Sequence, residues 1–318
     1  MRILVVGKKQ VLRWPEAVAK TLAKTDEVSL FLYNKRTLSS IWHKLISSKD
    51  RFNKDAHTFR QHITKFKPDL IFFVSCFFIP QAYYDVLKDF PDIKAVGWTG
   101  DRFSEDEKSK AIMLDMLFCT DSGFLPTAEK MGIKTTFLPL CTDSTIFRYF
   151  TGKRNKRPIY VASGNPKRTE FIAAIQDKCD IWGPHWNKRQ LKQHSVHVQS
   201  VPQNLMKKLI CRSCLPFNLH FSPNNMQGLN FRTFDVPATG GLILTNDVPD
   251  LHKCYEVGKE AVTYKTPEEL NELIHDFLQN PEKYAPIIKA GYERTMKEHT
   301  FEKRMEQMKT LLKQQKIL

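Results

Sequence analysis

Short apolar runs alternate with amphipathic stretches along nearly the whole chain, and this alternation predicts strands separated by helices. Residues 3–6, 28–32, 70–74, 94–98, 116–119 and 136–138 carry the first set of predicted strands, with helical patterns between them that include 15–24, 58–65 and 126–131. The polar, basic, turn-forming stretch from Arg148 to Pro158 interrupts the pattern. It then restarts at 159–161, 179–182, 196–198, 215–221, 242–244 and 261–264. From about residue 266 the pattern is almost entirely helical, opened by Thr266-Pro267-Glu268-Glu269. That run supplies an N-cap, a proline at the first helical position and acidic residues on the positive end of the dipole. The expected class is α/β, with two Rossmann-like domains at 1–150 and 151–318 and a helical C-terminus able to pack back on the first domain. Ligands of such sheets sit at the carboxyl ends of the strands, so function is expected in the cleft between the domains.

Composition narrows the class further. A chain of 318 residues, 42% hydrophobic and 26% charged, can bury two cores and is not a disordered segment. The longest apolar run, Leu70 to Ile79, is too short to cross a bilayer. The N-terminus has no signal-peptide cleavage region, so a cytoplasmic protein is expected. Seven cysteines, an odd number in mostly apolar surroundings, fit reduced thiols. His194-x-x-His197 and Cys211-x-x-Cys214 have zinc-compatible spacing, but strand and helix patterns account for all four positions.

The net charge of +15 is concentrated in two zones. Residues 1–67 carry 15 Lys and Arg against 5 Asp and Glu, and residues 151–214 carry 13 against 3. An acidic partner is expected at both: a diphosphate-bearing substrate, an anionic membrane surface or nucleic acid. Residues 35–67 interleave cations with Trp42, Ile46, Phe52, Phe59 and Phe66, a composition that suits peripheral contact with an anionic membrane or a lipid-linked acceptor, or a core-facing helix pair.

Two segments carry candidate chemistry. Gln227 to Thr245 reads as a helix start, a Gly240-Gly241 turn and a following strand. An arginine and a carboxylate on that helix beside a glycine turn can hold a sugar-nucleotide; the same residues also make an ordinary αβ unit with a glycine C-cap. Val161-Ala-Ser163-Gly164-Asn165-Pro-Lys167-Arg168 is a strand, a turn and a helix N-terminus with two cations, which is a phosphate cradle on physical grounds.

The first segment resembles the signature of retaining GT-B glycosyltransferases (glycosyl transferase group 1), with Gln227, Asp235 and Gly240 at the signature positions. The run from Asn230 to Thr245 looks most like the spore-maturation (CgeB-like) branch of that fold. So do Tyr264 to Leu270, Gly291 to Arg294 and Glu298 to Phe301. Leu138 to Phe147 is similar to the passage of those enzymes from the N- to the C-terminal domain. The resemblance implies a donor site in which Asp235 accepts bonds from ribose hydroxyls, Arg232 clamps a phosphate (a salt bridge to Asp235 being its alternative), and Gly240 and Gly241 admit the nucleotide against backbone. Ser163, Gly164, Lys167 and Arg168 would meet the diphosphate, with Gln227 and Asn230 beside it. Gln227 cannot carry the charge of the first family glutamate and Asp235 is one methylene short of the second, so retention or inversion stays open.

An inverting mechanism needs a general base, and Asp101, after the predicted strand 94–98, is the candidate, with an N-cap role for the following helix as its alternative. Asp121 is a weaker candidate, and His185, His194 and His220 are expected to be structural. No Asp-x-Asp motif is present, so no metal or other cofactor is expected, and cations and helix dipoles take the leaving group. The expected function is transfer of a sugar from a nucleotide-sugar donor to a saccharide, lipid-linked or protein acceptor in cell-surface glycan synthesis. A nucleic-acid-binding protein is the alternative from another class, disfavoured because no recognition module for nucleic acid is seen. A GT-B scaffold that has lost catalysis is the third.

Overall fold

The computed structural model describes residues 1–8, 13–33, 48–221 and 226–318. The chain divides into two compact units, residues 1–139 with 305–318, and residues 140–304. Each is built on a six-stranded parallel sheet.

In the first unit, β1 (Arg2–Lys8), α1 (Trp14–Leu22), β2 (Glu27–Tyr33), α2 (Ser48–Phe66) and β3 (Leu70–Val74) are followed by α3 (Gln81–Val86) and β4 (Lys94–Thr99). Next come α4 (Lys108–Ala111), β5 (Met116–Cys119), α5 (Leu125–Lys130) and β6 (Thr135–Phe137). The strand order is β2-β1-β3-β4-β5-β6. β3 lies between β1 and β4 with all five residues buried, which is why its sequence is apolar without interruption: both faces are covered. Phe59 of α2 is wholly buried, and Phe66 packs on the same core, so these two members of the basic–aromatic stretch face inward. Trp42 and Ile46 lie outside the described residues. Residues 305–318 join this unit, with Lys309 Nζ held by Asp26 and by Thr25 Oγ1 (3.0 Å).

The second unit contains β7 (Asn155–Val161), α6 (Pro166–Ala173), β8 (Asp180–Trp182), β9 (Ser195–His197), α7 (Gln203–Arg212) and β10 (Ser213–Asn218). It continues through α8 (Arg232–Ala238), β11 (Leu244–Asn246), α9 (Leu251–Cys254), β12 (Val262–Tyr264), α10 (Pro267–Gln279) and α11 (Ala285–Glu298) into α12 (Phe301–Gln314). The order β12-β11-β10-β7-β8-β9 shows that the chain winds outward from β7 to β9, then returns to the other side of β7. The two faces carry separate cores. Tyr160, Ile181, Leu215 and Phe217 pack under α6 and α10, while Ile159 and Val161 pack under Met206 and Ile210 of α7 and Val236 of α8. Each fully buried aliphatic or aromatic side chain contributes roughly 1.5–3 kcal/mol.

Several local expectations shift by a few residues. The strand expected at 242–244 pairs instead over Leu244–Asn246, because the chain must first leave the end of α8. The strand expected at 215–221 spans Ser213–Asn218, and Asn218 and His220 engage their side chains in a polar network. Ser104, not Asp101, caps the turn before α4: its hydroxyl accepts from Asp106 N–H at 3.4 Å. Thr266 caps α10 as expected, accepting from Glu269 N–H at 3.3 Å. Among the described residues no helix is long and apolar enough to cross a membrane.

Candidate functional site

The change of winding direction between β7 and β10 leaves a crevice at the carboxyl ends of those two strands, the place where doubly wound sheets bind ligands. From β7 the chain turns through Ala162 to Asn165 and starts α6 at Pro166, a residue suited to the first helical position. Asn165 caps the helix by accepting the Arg168 N–H at 2.8 Å. The turn is clamped: Gly164 N–H donates to Pro184 O (2.8 Å), and a Cβ on Gly164 would lie 2.5 Å from His185 O. Backbone cannot yield as a flexible side chain does, so only glycine fits. Arg168 Nη1 donates to Ser163 O at 2.8 Å, while its buried Nε has no partner among the described residues. Lys167 is exposed.

The other wall comes from the end of β10 and the start of α8. Asn218 Oδ1 accepts from Asn230 Nδ2 (3.0 Å) and from Arg232 Nε (3.4 Å). Its Nδ2 lies 3.1 Å from Thr233 Oγ1 and 3.2 Å from His220 Nε2. Asn230 also approaches His220 Nδ1 at 3.3 Å. His220 is held neutral: burial, with Arg232 and Arg168 nearby, pushes its pKa down to about 3. Burial also lowers the pKa of Arg232, and the neighbouring Arg168 adds to the shift.

Two guanidiniums therefore share one crevice. No ion pair to either is formed among the described residues. The Asp235 carboxyl, whose charge acts on Arg232, is itself buried. It is 6% exposed, and burial raises its pKa from 3.8 to about 8, although the Thr142 hydrogen bond and Arg232 both lower it. Two like charges held together in a partly desolvated crevice form a site for a multivalent anion.

The residues singled out from the sequence do not all converge here. Ser163, Gly164, Arg168, Asn230 and Arg232 do. Asp235, one turn into α8, faces away from solvent, with its Oδ1 accepting from Thr142 Oγ1 at 2.7 Å. Thr142 is paired in turn with the 299–301 segment: its N–H donates to His299 O (2.9 Å) and its carbonyl accepts from Phe301 N–H (3.0 Å).

Gly240 and Gly241 end α8. Gly240 has φ 74° and donates to Pro237 O (2.8 Å), and Gly241 donates to Val236 O (3.1 Å), the paired bonds of a Schellman motif. Because α8 runs from the carboxyl end of β10 toward the amino end of β11, these glycines sit roughly 12–13 Å along the helix direction from Arg232. Gly240 and Gly241 thus serve to terminate the helix. A Cβ on Gly240 would meet the Tyr149 ring at 2.6 Å.

Gln227 is half-buried in the loop before α8, its carbonyl accepting from Asp250 N–H at 3.2 Å. Asp101 follows β4 in the first unit, its carbonyl accepting from Thr99 Oγ1 at 3.1 Å. Asp121 is buried and its Oδ1 caps the following turn at Gly123 N–H (2.8 Å). His194 bonds the backbone of Cys179 (3.3 Å) and Ile172 (2.9 Å), and His197 stacks on Trp182 at 3.9 Å between ring centroids. These contacts account for both members of the His-x-x-His pair.

Sequence reasoning missed Asn218 and gave His220 only a structural role. The available signal was two polar residues at alternate positions closing an otherwise apolar strand. Beside the 163–165 turn opens a cleft of about 930 Å³, bordered by α6 and the loop after β8.

Residues 167–310 match the family described as glycosyl transferase-like. No curated protein matches the chain at a significant level. Among solved structures, a glycosyltransferase from Rickettsia africae ESF-5 superposes with a TM-score of 0.70 at 12% identity, covering 99% of this chain and 98% of that one. Sucrose-phosphate synthase from Thermosynechococcus elongatus gives 0.68 at 11% identity, with 99% of each chain covered. Anabaena HepE, in complex with UDP and glucose, gives 0.66 at 11% identity, covering 99% of this chain and all of that one. The chain has the GT-B fold.

Proposed function

We propose that this protein is a glycosyltransferase that draws a sugar from a nucleotide-activated donor whose diphosphate lies between Arg168 and Arg232. The match of residues 167–310 to a glycosyl transferase-like family and the GT-B fold support the reaction class. HepE, a protein of the same fold, was solved with UDP and glucose, which supports the donor class. The observation that carries the reading is the pair of guanidiniums at the β7/β10 crevice, neither of them in an ion pair among the described residues.

The chemistry follows from that pair. As the bond from the anomeric carbon to the diphosphate oxygen breaks, negative charge builds on the departing phosphate. Arg168 and Arg232 stabilise that charge more in the transition state than in the bound donor, without reorganising. Asn218 holds Arg232 in place, and His220, kept neutral by burial and the two arginines, adds no third positive charge to the buried network. Lys167 and the Ser163–Gly164 turn complete the phosphate contacts. The same cations support a metal-independent mechanism. For the acceptor, a saccharide, lipid-linked or protein hydroxyl in cell-surface glycan synthesis fits a basic chain; the charge also fits peripheral attachment to an anionic bilayer on the cytoplasmic side.

A panel of UDP-, GDP-, ADP- and CMP-sugars tests the donor site, because a ligand specific for the native state raises the melting temperature. At least one should stabilise the protein, and Arg232→Ala should abolish that stabilisation. The absence of any shift, together with strong salt-sensitive binding of DNA or RNA, would refute the proposal. Nucleotide binding without transfer or donor hydrolysis would favour a scaffold.

A further inference from the structure

The cleft beside the 163–165 turn has Gly164 and Asn165 in its wall, and the same two residues belong to the turn proposed above to face the phosphates. It therefore begins where the diphosphate site ends. Its volume, about 930 Å³, accommodates a nucleoside. Of the donor's two ends, the nucleoside stays with the enzyme through transfer, whereas the sugar must pass to another molecule. A pocket formed entirely by one unit suits the end that stays.

Its hydrogen-bonding groups discriminate among bases. Glu170, on α6, is exposed and has no partner among the described residues; ionised, it offers two acceptor oxygens and no donor. Across the cleft, Asn187 Nδ2 donates to Gln190 Oε1 at 2.9 Å, which leaves the Gln190 amide nitrogen to donate. His185 completes that side. Guanine alone presents two adjacent N–H donors, at N1 and N2, that engage both oxygens of one carboxylate, while its O6 and N7 accept from an amide. The single ring N–H of uracil is flanked by two carbonyls that repel a carboxylate. Adenine and cytosine place a ring lone pair beside their amino group.

Building on the donor site proposed above, we infer that this cleft is the nucleoside subsite and selects guanine through Glu170, so that the donor is a GDP-sugar. Titration calorimetry with GDP, UDP, ADP and CDP on the full chain and on Glu170→Gln tests this. GDP should bind tighter than the other three by roughly tenfold or more. Glu170→Gln should erase that margin by weakening GDP alone. UDP, ADP or CDP binding as tightly as GDP would overturn the guanine assignment while leaving the donor site standing. So would an undiminished GDP margin in Glu170→Gln. Failure of all four to bind would overturn the donor site as well; where they bind, Arg232→Ala should weaken all four equally, whereas Glu170→Gln should weaken GDP alone.

Discussion

Replacing Asp235 by asparagine should flatten the pH dependence of stability, and the structure sets the size of the effect. The Asp235 carboxyl is buried against Thr142, with Arg232, Asp143 and Cys141 as its charged or titratable neighbours. Burial raises its pKa from 3.8 to about 8 in the folded protein, against the lowering effects of the Thr142 bond and Arg232. The folded state therefore binds a proton that the unfolded chain releases between those values. Stability from this group is fully present below pH 3.8 and is lost as pH rises to about 8.

One pKa unit corresponds to about 1.4 kcal/mol, so the wild type should lose about 4 kcal/mol between pH 5 and pH 8 through this residue. The asparagine side chain has no proton to lose, although its amide retains an oxygen to accept from Thr142. The substitution carries its own cost, from placing an amide nitrogen where no donor was needed, but that cost is constant with pH. The decisive quantity is therefore the difference between wild-type and Asp235→Asn urea midpoints at pH 5, 6.5 and 8. The variant should gain on the wild type as pH rises. Parallel curves would refute the argument and place an ionised carboxylate at Asp235, available to a ribose.

Other substitutions probe the remaining assignments. Arg232→Ala should reduce donor affinity on the order of 100-fold, because it leaves phosphate charge unpaired in a desolvated site; unchanged affinity by calorimetry would remove Arg232 from the crevice. Gly240→Ala should cost about 1–2 kcal/mol of stability through its left-handed backbone, with the exposed Tyr149 ring swinging aside. Donor affinity should be unaltered, and a loss of affinity at unchanged melting temperature would return Gly240 to the binding site. Asp101→Asn should leave donor binding intact and, if Asp101 is the general base, slow transfer by roughly 100-fold or more; full activity would discard it.

Much of the architecture was legible because burial demands apolar side chains at particular periods. Leu70–Val74 announces a strand covered on both faces, and Thr266-Pro267 announces a capped helix; both are local facts. The Asn165 cap and the cationic turn before Arg168 are local in the same sense. Gly240-Gly241 was harder to interpret. A glycine pair meets either a ligand's close approach or a positive φ, and the one-dimensional pattern is the same for both. The hydrogen bonds to Val236 and Pro237 show that the pair ends the helix, a fact the one-dimensional pattern did not carry.

By itself, the sequence determined two parallel α/β sheets, their strands to within a few residues, and a basic turn suited to phosphate. Tertiary structure alone decided which charges meet. Arg168 and Arg232 are 64 positions apart, and they come together because β7 and β10 are neighbours where the winding reverses. Asp235 was a plausible ligand by spacing, but its burial against Thr142, 93 residues away, turned its carboxyl inward and raised its pKa. The physical reason is that periodicity and capping act over a few residues, whereas desolvation and charge pairing depend on neighbours that only the folded chain supplies.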